Sequence, residues 1–370
     1  MRAVVAMSGG VDSSVAALEL KRKGYDLIGI TIKTWPKEEC GGVGEKMCCS
    51  LEAIQYARGV ASELDIPYHV VDLSKEFTEM VKNYFAEEYV RGRTPNPCIY
   101  CNSKIKFGCL LVKARELGAE RIATGHYARI IKAGEDYRLA EAKDKWRDQS
   151  YFLYDIPKET LPFIEFPLGE SAKEKVREVA ENQNFMSAWR KPSQDICFAT
   201  AEGGYREYLK KLGVDAFLPG EILDTSGKVI GRHKGIASYT VGQRRGLGLA
   251  MPDPVYVLRI DPENNTITVG DRSHAMNSKI RVAGFNWLTM DKLEDPVEFA
   301  TRIRYNGEKV QATVTPWGDD EAIVEFDRPQ FAPTPGQAAV FYDGEIVAGG
   351  GWIEEVLETD SPTPRRFTKT

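Results

Sequence analysis

"RAVVAMSGGVDSSVAALELKRKG", Arg2 to Gly24, reads as a strand, a glycine turn and a helix. The apolar run "RAVVAM" forms the strand and Gly9 and Gly10 form the turn. The helical spacing of "SSVAALELKRKG" follows, with serines at its start and Gly24 as its stop. The alternation continues: "YDLIGITIK" is the next buried strand, "LEAIQYARGVASELDI" the next helix and "PYHVVDL" the third strand. Farther on, "KIKFGCLLVKARELG" puts Phe107, Leu110, Leu111, Ala114 and Leu117 on one helical face ahead of "AERIATGH". Such repeated units predict an α/β fold with a doubly wound parallel sheet.

After about Thr200 the texture changes. The short helix "YREYLKKLG" leads into β-branched runs broken by Ser-Gly and Asn-Asn turns, a small β-rich module. From about Lys279 the strand period returns in "EKVQATVTP", "EAIVEF" and "QAAVFYDGEIVAGGGWIEEV", with Asp343-Gly344 marking a hairpin, which predicts a closed barrel of six or so strands. The expected domains are therefore 1–204, 205–277 and 278–357, followed by a polar, Pro-rich tail over 358–370 that is expected to be disordered. No internal repeat is visible.

A length of 370 residues exceeds one ordinary core, since domains cluster at roughly 100 to 200 residues. Hydrophobic residues make up 42% and charged residues 28%, the balance of a soluble globular protein. No apolar run approaches the roughly 20 residues of a membrane span, and "MRAVVAMSGG" is too short before its glycines for a secretory signal core. A cytoplasmic protein without a membrane partner is expected. Seven cysteines, an odd number in a long chain, argue for reduced, reactive or metal-bound thiols rather than a secreted disulfide framework. A net charge of −5 gives no global attraction to a polyanion, so a nucleic-acid site must be a local basic patch.

"AMSGGVDSS" lies where a strand hands over to a helix, and there backbone N–H groups and the helix dipole converge on an anion. Gly9 and Gly10 let the backbone approach a phosphate, Ser8, Ser13 and Ser14 add hydroxyls, and Asp12 is placed to hold Mg2+. The loop has neither the Lys-Ser/Thr pair of a Walker loop nor the glycine pattern of dinucleotide folds. It resembles instead the PP-loop of the N-type ATP pyrophosphatases (HUP-like), which split ATP to AMP and pyrophosphate while adenylating an oxygen.

"TPNPCIYCN", Thr94 to Asn102, spaces Cys98 and Cys101 as metal chelation and thiol redox chemistry both require, and the spacing alone does not choose between them. A zinc site from these two and two of Cys40, Cys48 and Cys49 is one arrangement, although adjacent Cys48 and Cys49 chelate one ion awkwardly. Cys109 lies near an apolar helix face and is expected to pack as a small hydrophobe. His126 ends a strand on the side where open α/β sheets place ligands; a core or capping histidine is the ordinary alternative.

"GRTPNPCIYCNSKIKFG", "ATGHYAR", "RDQSYFLY", "KPSQDICF", "YTVGQRRGLG" and "PGQAAVFYDG" with "GGGWI" together resemble the tRNA-specific 2-thiouridylases (MnmA), from Arg2 to about Glu355. The resemblance implies a PP-loop domain, a small central domain and a C-terminal β-barrel. It implies adenylation of O2 of the wobble uridine (U34) of tRNA and replacement of that oxygen by sulfur, with AMP as leaving group. ATP would lie against Ala6, Met7, Ser8, Gly9, Gly10, Val11, Asp12 and Ser13, with Ile32, Gly125 and His126.

Two sulfur routes follow. A 4Fe-4S cluster on Cys98, Cys101 and Cys197 is the favoured one, because thiouridylases of the other branch carry Asp at the position of Cys98. A Cys197 persulfide resolved by Cys101, leaving a Cys101–Cys197 disulfide, is the second. Asn96, Pro97, Arg147, Asp148 and Gln149 match regions around the target base, and Gln149 is placed to meet a flipped uracil edge. Arg244, Arg245, Arg304, Tyr305 and Gln337 match tRNA-contact positions, and Arg206, Lys210 and Lys211 extend a phosphate patch. A desulfurase, a relay protein or free sulfide would supply sulfur; DNA is not an expected partner. The rival enzyme class, an amidotransferase or ligase using ammonia, needs no paired cysteines.

Overall fold

The computed structural model describes residues 1–35, 51–189, 196–200, 204–211, 213 and 216–357. Cys40, Cys48, Cys49 and the expected tail lie outside the described residues. The chain divides into two compact units: Met1–Asn83 with Pro97–Tyr208 and Glu345–Val347, and Tyr84–Asn96 with Leu209–Gly344 and the chain from Ala348 onward. Among the described residues no helix is long and apolar enough to cross a membrane.

The first unit is built on five parallel strands, β1 (Arg2–Ala6), β2 (Asp26–Lys33), β3 (Tyr68–Asp72), β4 (Arg121–Ala123) and β7 (Ile164–Glu165), in the order β3-β2-β1-β4-β7. Between β4 and β7 the chain adds an antiparallel hairpin, β5 (Ala128–Ala133) with β6 (Asp136–Glu141). Ala3, Val4 and Val5 of β1 are fully buried, as a central parallel strand with both faces covered requires. Helix α1 (Val11–Arg22) has Asp12 in its first turn and Lys21 and Arg22 in its last, matching its dipole. Its inner side, Val15, Ala16, Leu18 and Leu20, joins Ala57, Val60 and Ala61 of α2 (Leu51–Glu63) in one core with Val5 and Met7.

The strand order reverses at β1. Chain order runs outward through β2 and β3, then returns to place β4 on β1's other side, with Val5 opposite Ala123. Open sheets place ligands in the crevice beyond the strand C-termini at such a switch point. There the phosphate loop after β1 meets Thr124-Gly125-His126 after β4. A Cβ on Gly125 would stand 2.7 Å from the Asp12 carbonyl carbon and 2.8 Å from Ser13 N, so only glycine lets the two segments come this close. Gly9, with φ of 69°, does the same toward α2: a Cβ would fall 2.2 Å from Ala53 O.

The expected single helix over "KIKFGCLLVKARELG" is two windings in series. Cys101–Cys109 is π-helical and Leu110–Glu116 is α-helical. Phe107, Leu110, Leu111 and Ala114 are buried as expected, but Leu117 is 36% exposed because the helix has ended and Leu117 caps it. The wider π turn brings residues four and five apart onto one side.

In the second unit, β8 (Gly220–Leu223), β9 (Val229–His233), β10 (Tyr256–Asp261) and β11 (Thr266–Gly270) form a four-stranded sheet in the order β10-β11-β8-β9. The Asn-Asn turn between β10 and β11 has Asn265 at φ 49°, a left-handed position that asparagine tolerates. Six further strands, β12 (Met276–Trp287), β13 (Val297–Arg302), β14 (Val310–Pro316), β15 (Glu321–Phe331), β16 (Ala338–Asp343) and β17 (Ile346–Leu357), run in the order β12-β15-β14-β13-β16-β17. The pairing of β12 with β17 closes the barrel, as expected from sequence. The segment Tyr84–Asn96 belongs to this unit: Arg93 bonds Glu354 bidentately and Thr94 N donates to Pro335 O at 2.9 Å.

Phe341, fully buried in the barrel, has Phe285, Trp287 and Phe299 around it at ring-centroid distances of 6.1, 5.5 and 5.7 Å. Removing it leaves a cavity that closed walls do not collapse into, so Phe341→Ala is expected to cost about 3–5 kcal/mol. Urea unfolding followed by tryptophan fluorescence measures this, and an unchanged midpoint would show that the ring is not a core element.

Candidate active site

A cavity of about 380 Å³ opens at the switch point of the first unit. Ala6, Met7, Ser8, Asp12 and Ser13 form one wall, Ile30, Thr31 and Ile32 of β2 another, and Gly125 and His126 a third. Hydroxyls hold the phosphate loop in shape. Ser8 N donates to Ser13 Oγ at 3.2 Å, and the hydroxyls of Ser13 and Ser14 both donate to Gly10 O at 3.0 Å. Gly9, Gly10 and Val11 complete the loop between these wall residues.

Asp12, expected to hold Mg2+, carries other partners. Its Oδ1 accepts from Lys173 Nζ at 2.5 Å and from Tyr127 OH at 2.8 Å. Burial, and then the Asp12 charge, raise the Tyr127 phenol far above its ordinary value, so it stays a neutral donor. Neither Tyr127 nor Lys173 had been singled out from sequence; the signal for Lys173, a lysine at a helix start, is common to many surface helices.

Cys98, Cys101 and Cys197 line the same cavity. The π turn explains the first wall of thiols: Cys101, Asn102, Ile105 and Lys106 come from one side of Cys101–Cys109 and all face the space. Asn102 fixes that winding, its Nδ2 donating to Phe152 O at 3.0 Å and its Oδ1 accepting from Lys106 Nζ at 2.8 Å. Cys197 arrives on the one-turn helix Cys197–Thr200, anchored by Phe198, whose ring meets Phe77 at 5.8 Å and Tyr208 at 5.1 Å. Cys98 is exposed, whereas Cys101 and Cys197 are half-buried, and all three are thiols, so the expected disulfide is not formed. Burial pushes the Cys109 thiol up, in keeping with a packing role.

Among the described residues no three His, Cys, Asp or Glu side chains converge as a single-ion site requires. The zinc arrangement also calls on cysteines outside the described residues. A 4Fe-4S cluster takes one thiolate per iron and its ligands stand apart, so three thiols around one cavity fit that donor set in kind.

His126 is held between Thr124 and Lys106. Its Nδ1 lies 2.6 Å from Thr124 Oγ1 and its Nε2 lies 3.4 Å from Lys106 Nζ. An ammonium only donates, so Nε2 accepts and the ring proton sits on Nδ1. The rings of Phe107 and Phe166 lie 6.1 and 6.0 Å away, and burial, followed by the Lys106 charge, lowers the His126 pKa well below its ordinary value. The imidazole is therefore neutral, and Lys106 is the local cation. Lys106 is a further functional candidate, one that a single lysine on a helix does not reveal from sequence.

The expected RNA contacts divide. Pro97 and Gln149 line the cavity; Gln149 Oε1 accepts from Tyr127 N at 2.9 Å, which leaves its amide N–H groups to donate. Asp148 is buried, and its oxygens accept from Ala142 N, Ser150 N and Ser150 Oγ, so it holds its own loop. Arg147 is exposed beside Trp146, which is 95% exposed at the tip of the same turn. In the second unit Arg244 and Arg245 are exposed, and Asn96 and Tyr305 are half-buried. Arg304 Nη2 donates to Ala332 O at 2.5 Å and Thr334 Oγ1 at 2.9 Å, and Gln337 Nε2 donates to Thr94 O at 2.7 Å, so both already brace their own unit.

Three family models match successive segments of the chain. Residues 1–201 match the family model described as tRNA methyl transferase HUP domain, residues 206–271 the tRNA methyl transferase PRC-barrel domain, and residues 277–353 the aminomethyltransferase beta-barrel domain. The chain is 46% identical over 357 residues to the tRNA-specific 2-thiouridylase MnmA of Moorella thermoacetica, covering 96% of this chain and 100% of that one. It is 44% identical over 357 residues to the protein of the same name from Acetivibrio thermocellus, covering 95% of this chain and 99% of that one.

The neutral His126 has a consequence for stability. Its folded-state pKa lies below the value of about 6.5 that it has in an unfolded chain. The unfolded state therefore takes up a proton first as pH falls. The contribution of this site is complete above that pH and is lost on going down toward the folded-state value. Urea midpoints across this range should fall more steeply for the wild type than for His126→Gln; equal slopes would show that the ring is freely protonated in the fold.

Proposed function

The chain belongs to the tRNA-specific 2-thiouridylase family, and from that membership we propose that it uses ATP to replace O2 of the wobble uridine (U34) of tRNA with sulfur. One observation carries the reading: the anion-binding loop and three thiols line one cavity. A uracil carbonyl is a poor electrophile, and transfer of AMP to its oxygen makes a leaving group that sulfur can displace. Both halves of that reaction need to happen in one place. Methyl donors of the sulfonium type carry no phosphate, and ammonia-using ligases need no paired cysteines, so the site supports sulfur transfer over either.

The chain's own groups take the following roles. Ser8, Ser13 and the loop N–H groups receive phosphates, Ile32 packs against the adenine, and Gly125 leaves room for the nucleotide. The Gln149 amide donates to the uracil edge, and Lys106, beside a neutral His126, neutralises negative charge developing near Cys101. Trp146 and Arg147 offer a stacking face and a cation to the surrounding RNA, and Arg244 and Arg245 add phosphate contacts.

Cys98 favours a cluster. A persulfide route needs only two thiols: the outer sulfur on Cys197 attacks C2, AMP leaves, and Cys101 thiolate takes the inner sulfur to form a disulfide that an external thiol reduces. That leaves Cys98 on the cavity wall without a task, whereas a 4Fe-4S cluster held by Cys98, Cys101 and Cys197 employs all three. The cluster would supply an iron with no protein ligand to carry inorganic sulfide.

Anaerobic purification followed by iron and sulfide assay, with nucleoside analysis of tRNA after turnover, tests both levels. The wild type should hold roughly four irons and four sulfides and form 2-thiouridine, and Cys98→Ser should lose the iron. Cys197→Ala should form no 2-thiouridine while retaining tRNA-dependent ATP–pyrophosphate exchange. Metal-free wild type that thiolates from a persulfide donor would discard the cluster, and wild type that makes no 2-thiouridine with either donor would discard the activity.

A further inference from the structure

Lys173, the first residue of the helix Lys173–Asn182, is an unusual partner for a phosphate loop. Its side chain is 8% exposed, and its Nζ stands 2.5 Å from Asp12 Oδ1. Tyr127 donates to that same oxygen at 2.8 Å, and the ammonium lies 5.6 Å from the Tyr127 ring centroid. The main chain at Lys173 is pinned as well, its N–H donating to Asp144 Oδ2 at 3.1 Å. A cation is thus built into the foot of the loop, paired with Asp12, which lines the cavity.

A resident Mg2+ does not fit this arrangement. Magnesium demands octahedral oxygen ligation and is usually held by one or two carboxylates together with substrate phosphates. Asp12 has a cation and a phenol already on one oxygen, and among the described residues no three His, Cys, Asp or Glu side chains group as a metal site. An ion arriving before ATP would have to displace a buried ammonium, whose isolation from any anion is costly.

We propose that Lys173 is a nucleotide-phosphate ligand: it neutralises Asp12 while the loop is empty and turns to the β- and γ-phosphates when ATP enters, any Mg2+ arriving on the nucleotide. This rests on the reading of the loop as an ATP site. Lys173 keeps a negative partner in both states, first the carboxylate and then the departing pyrophosphate. Lysine suits the task because its compact ammonium on a flexible stem can exchange one anion for another.

Equilibrium binding of ATP and of AMP to the full chain, measured by calorimetry in EDTA and again in Mg2+, tests the assignment. Wild type should bind ATP in EDTA, and Lys173→Met should weaken ATP by about tenfold or more, the loss of one charge-assisted contact. AMP, which lacks the outer phosphates, should change by less than about twofold, and Lys173→Arg should restore most of the ATP affinity. Because Lys173→Met leaves Asp12 unpaired, the neutral pair Asp12→Asn with Lys173→Met is measured beside it, and its ATP affinity should stay weak. Recovery of wild-type ATP affinity in the pair, or equal losses for ATP and AMP, would make Lys173 only an anchor for Asp12 and overturn the proposal. Wild type that binds no ATP even with Mg2+ would instead remove the ATP site itself, and the proposal with it.

Discussion

Everything in the first unit's site depends on how closely two loops approach at the reversal of strand order. The backbone at Gly125 lies against the backbone of Asp12 and Ser13 with no space for a methyl group. This contact joins the end of β4 to the start of α1, and it is possible only because β4 pairs with β1 in register, Val5 opposite Ala123. Sterics at a single hydrogen atom thus bring a phosphate loop, a neutral histidine and the thiols into one space. A fold that reversed its strand order elsewhere would leave these groups on separate edges.

The electrostatics follow from the same closeness. ATP is strongly anionic, and a cavity walled by apolar strand ends cannot accept it without fixed positive charge. Two lysines supply it, each tied to a polar partner: Lys106 by Asn102 and His126, Lys173 by Asp12. His126 and Tyr127, which follow Gly125 in sequence, are both held neutral by burial. The two ammonium groups and the Asp12 carboxylate carry charge here, as do Asp144 and Arg147 near Tyr127, while His126 and Tyr127 act as oriented dipoles. Such preorganisation is what stabilises charge developing on a reacting oxygen.

Much of this was legible in the sequence, and the limits have physical causes. Apolar runs and glycine turns located β1 to β4, and period-2 runs the strands of the barrel, whereas the β5–β6 hairpin and the two-residue β7 carry no such pattern strong enough to read. The phosphate loop was legible because its glycines and serines have local jobs. Lys106 and the π winding were not, since the hydrogen-bond register of Cys101–Cys109 is set by tertiary partners such as Phe152 rather than by propensity. Nor was the pairing of Lys173 with Asp12, residues far apart in the chain whose meeting depends on how the helix Lys173–Asn182 packs on α1. The loop role of Asp148 was hidden for a related reason: in "RDQSYF" a polar residue looks available, but its oxygens turn back to close its own loop.

A chain of net charge −5 that, on the proposed function, handles both a nucleotide and an RNA has to place its cations sparingly. Lysines held at the site, the buried Lys173 and the half-buried Lys106, act at short range in low dielectric, where one charge is worth most, and add little to long-range attraction of a polyanion. Exposed arginines do the reverse: on the proposed function Arg147, Arg244 and Arg245 would be weak singly but sum over many phosphates and respond to salt. Recognition of RNA and activation of its carbonyl are then separable by ionic strength. Salt should erode the first because releasing the same counterions into a saltier solution gains less entropy, while pairs inside the cavity wall feel it less.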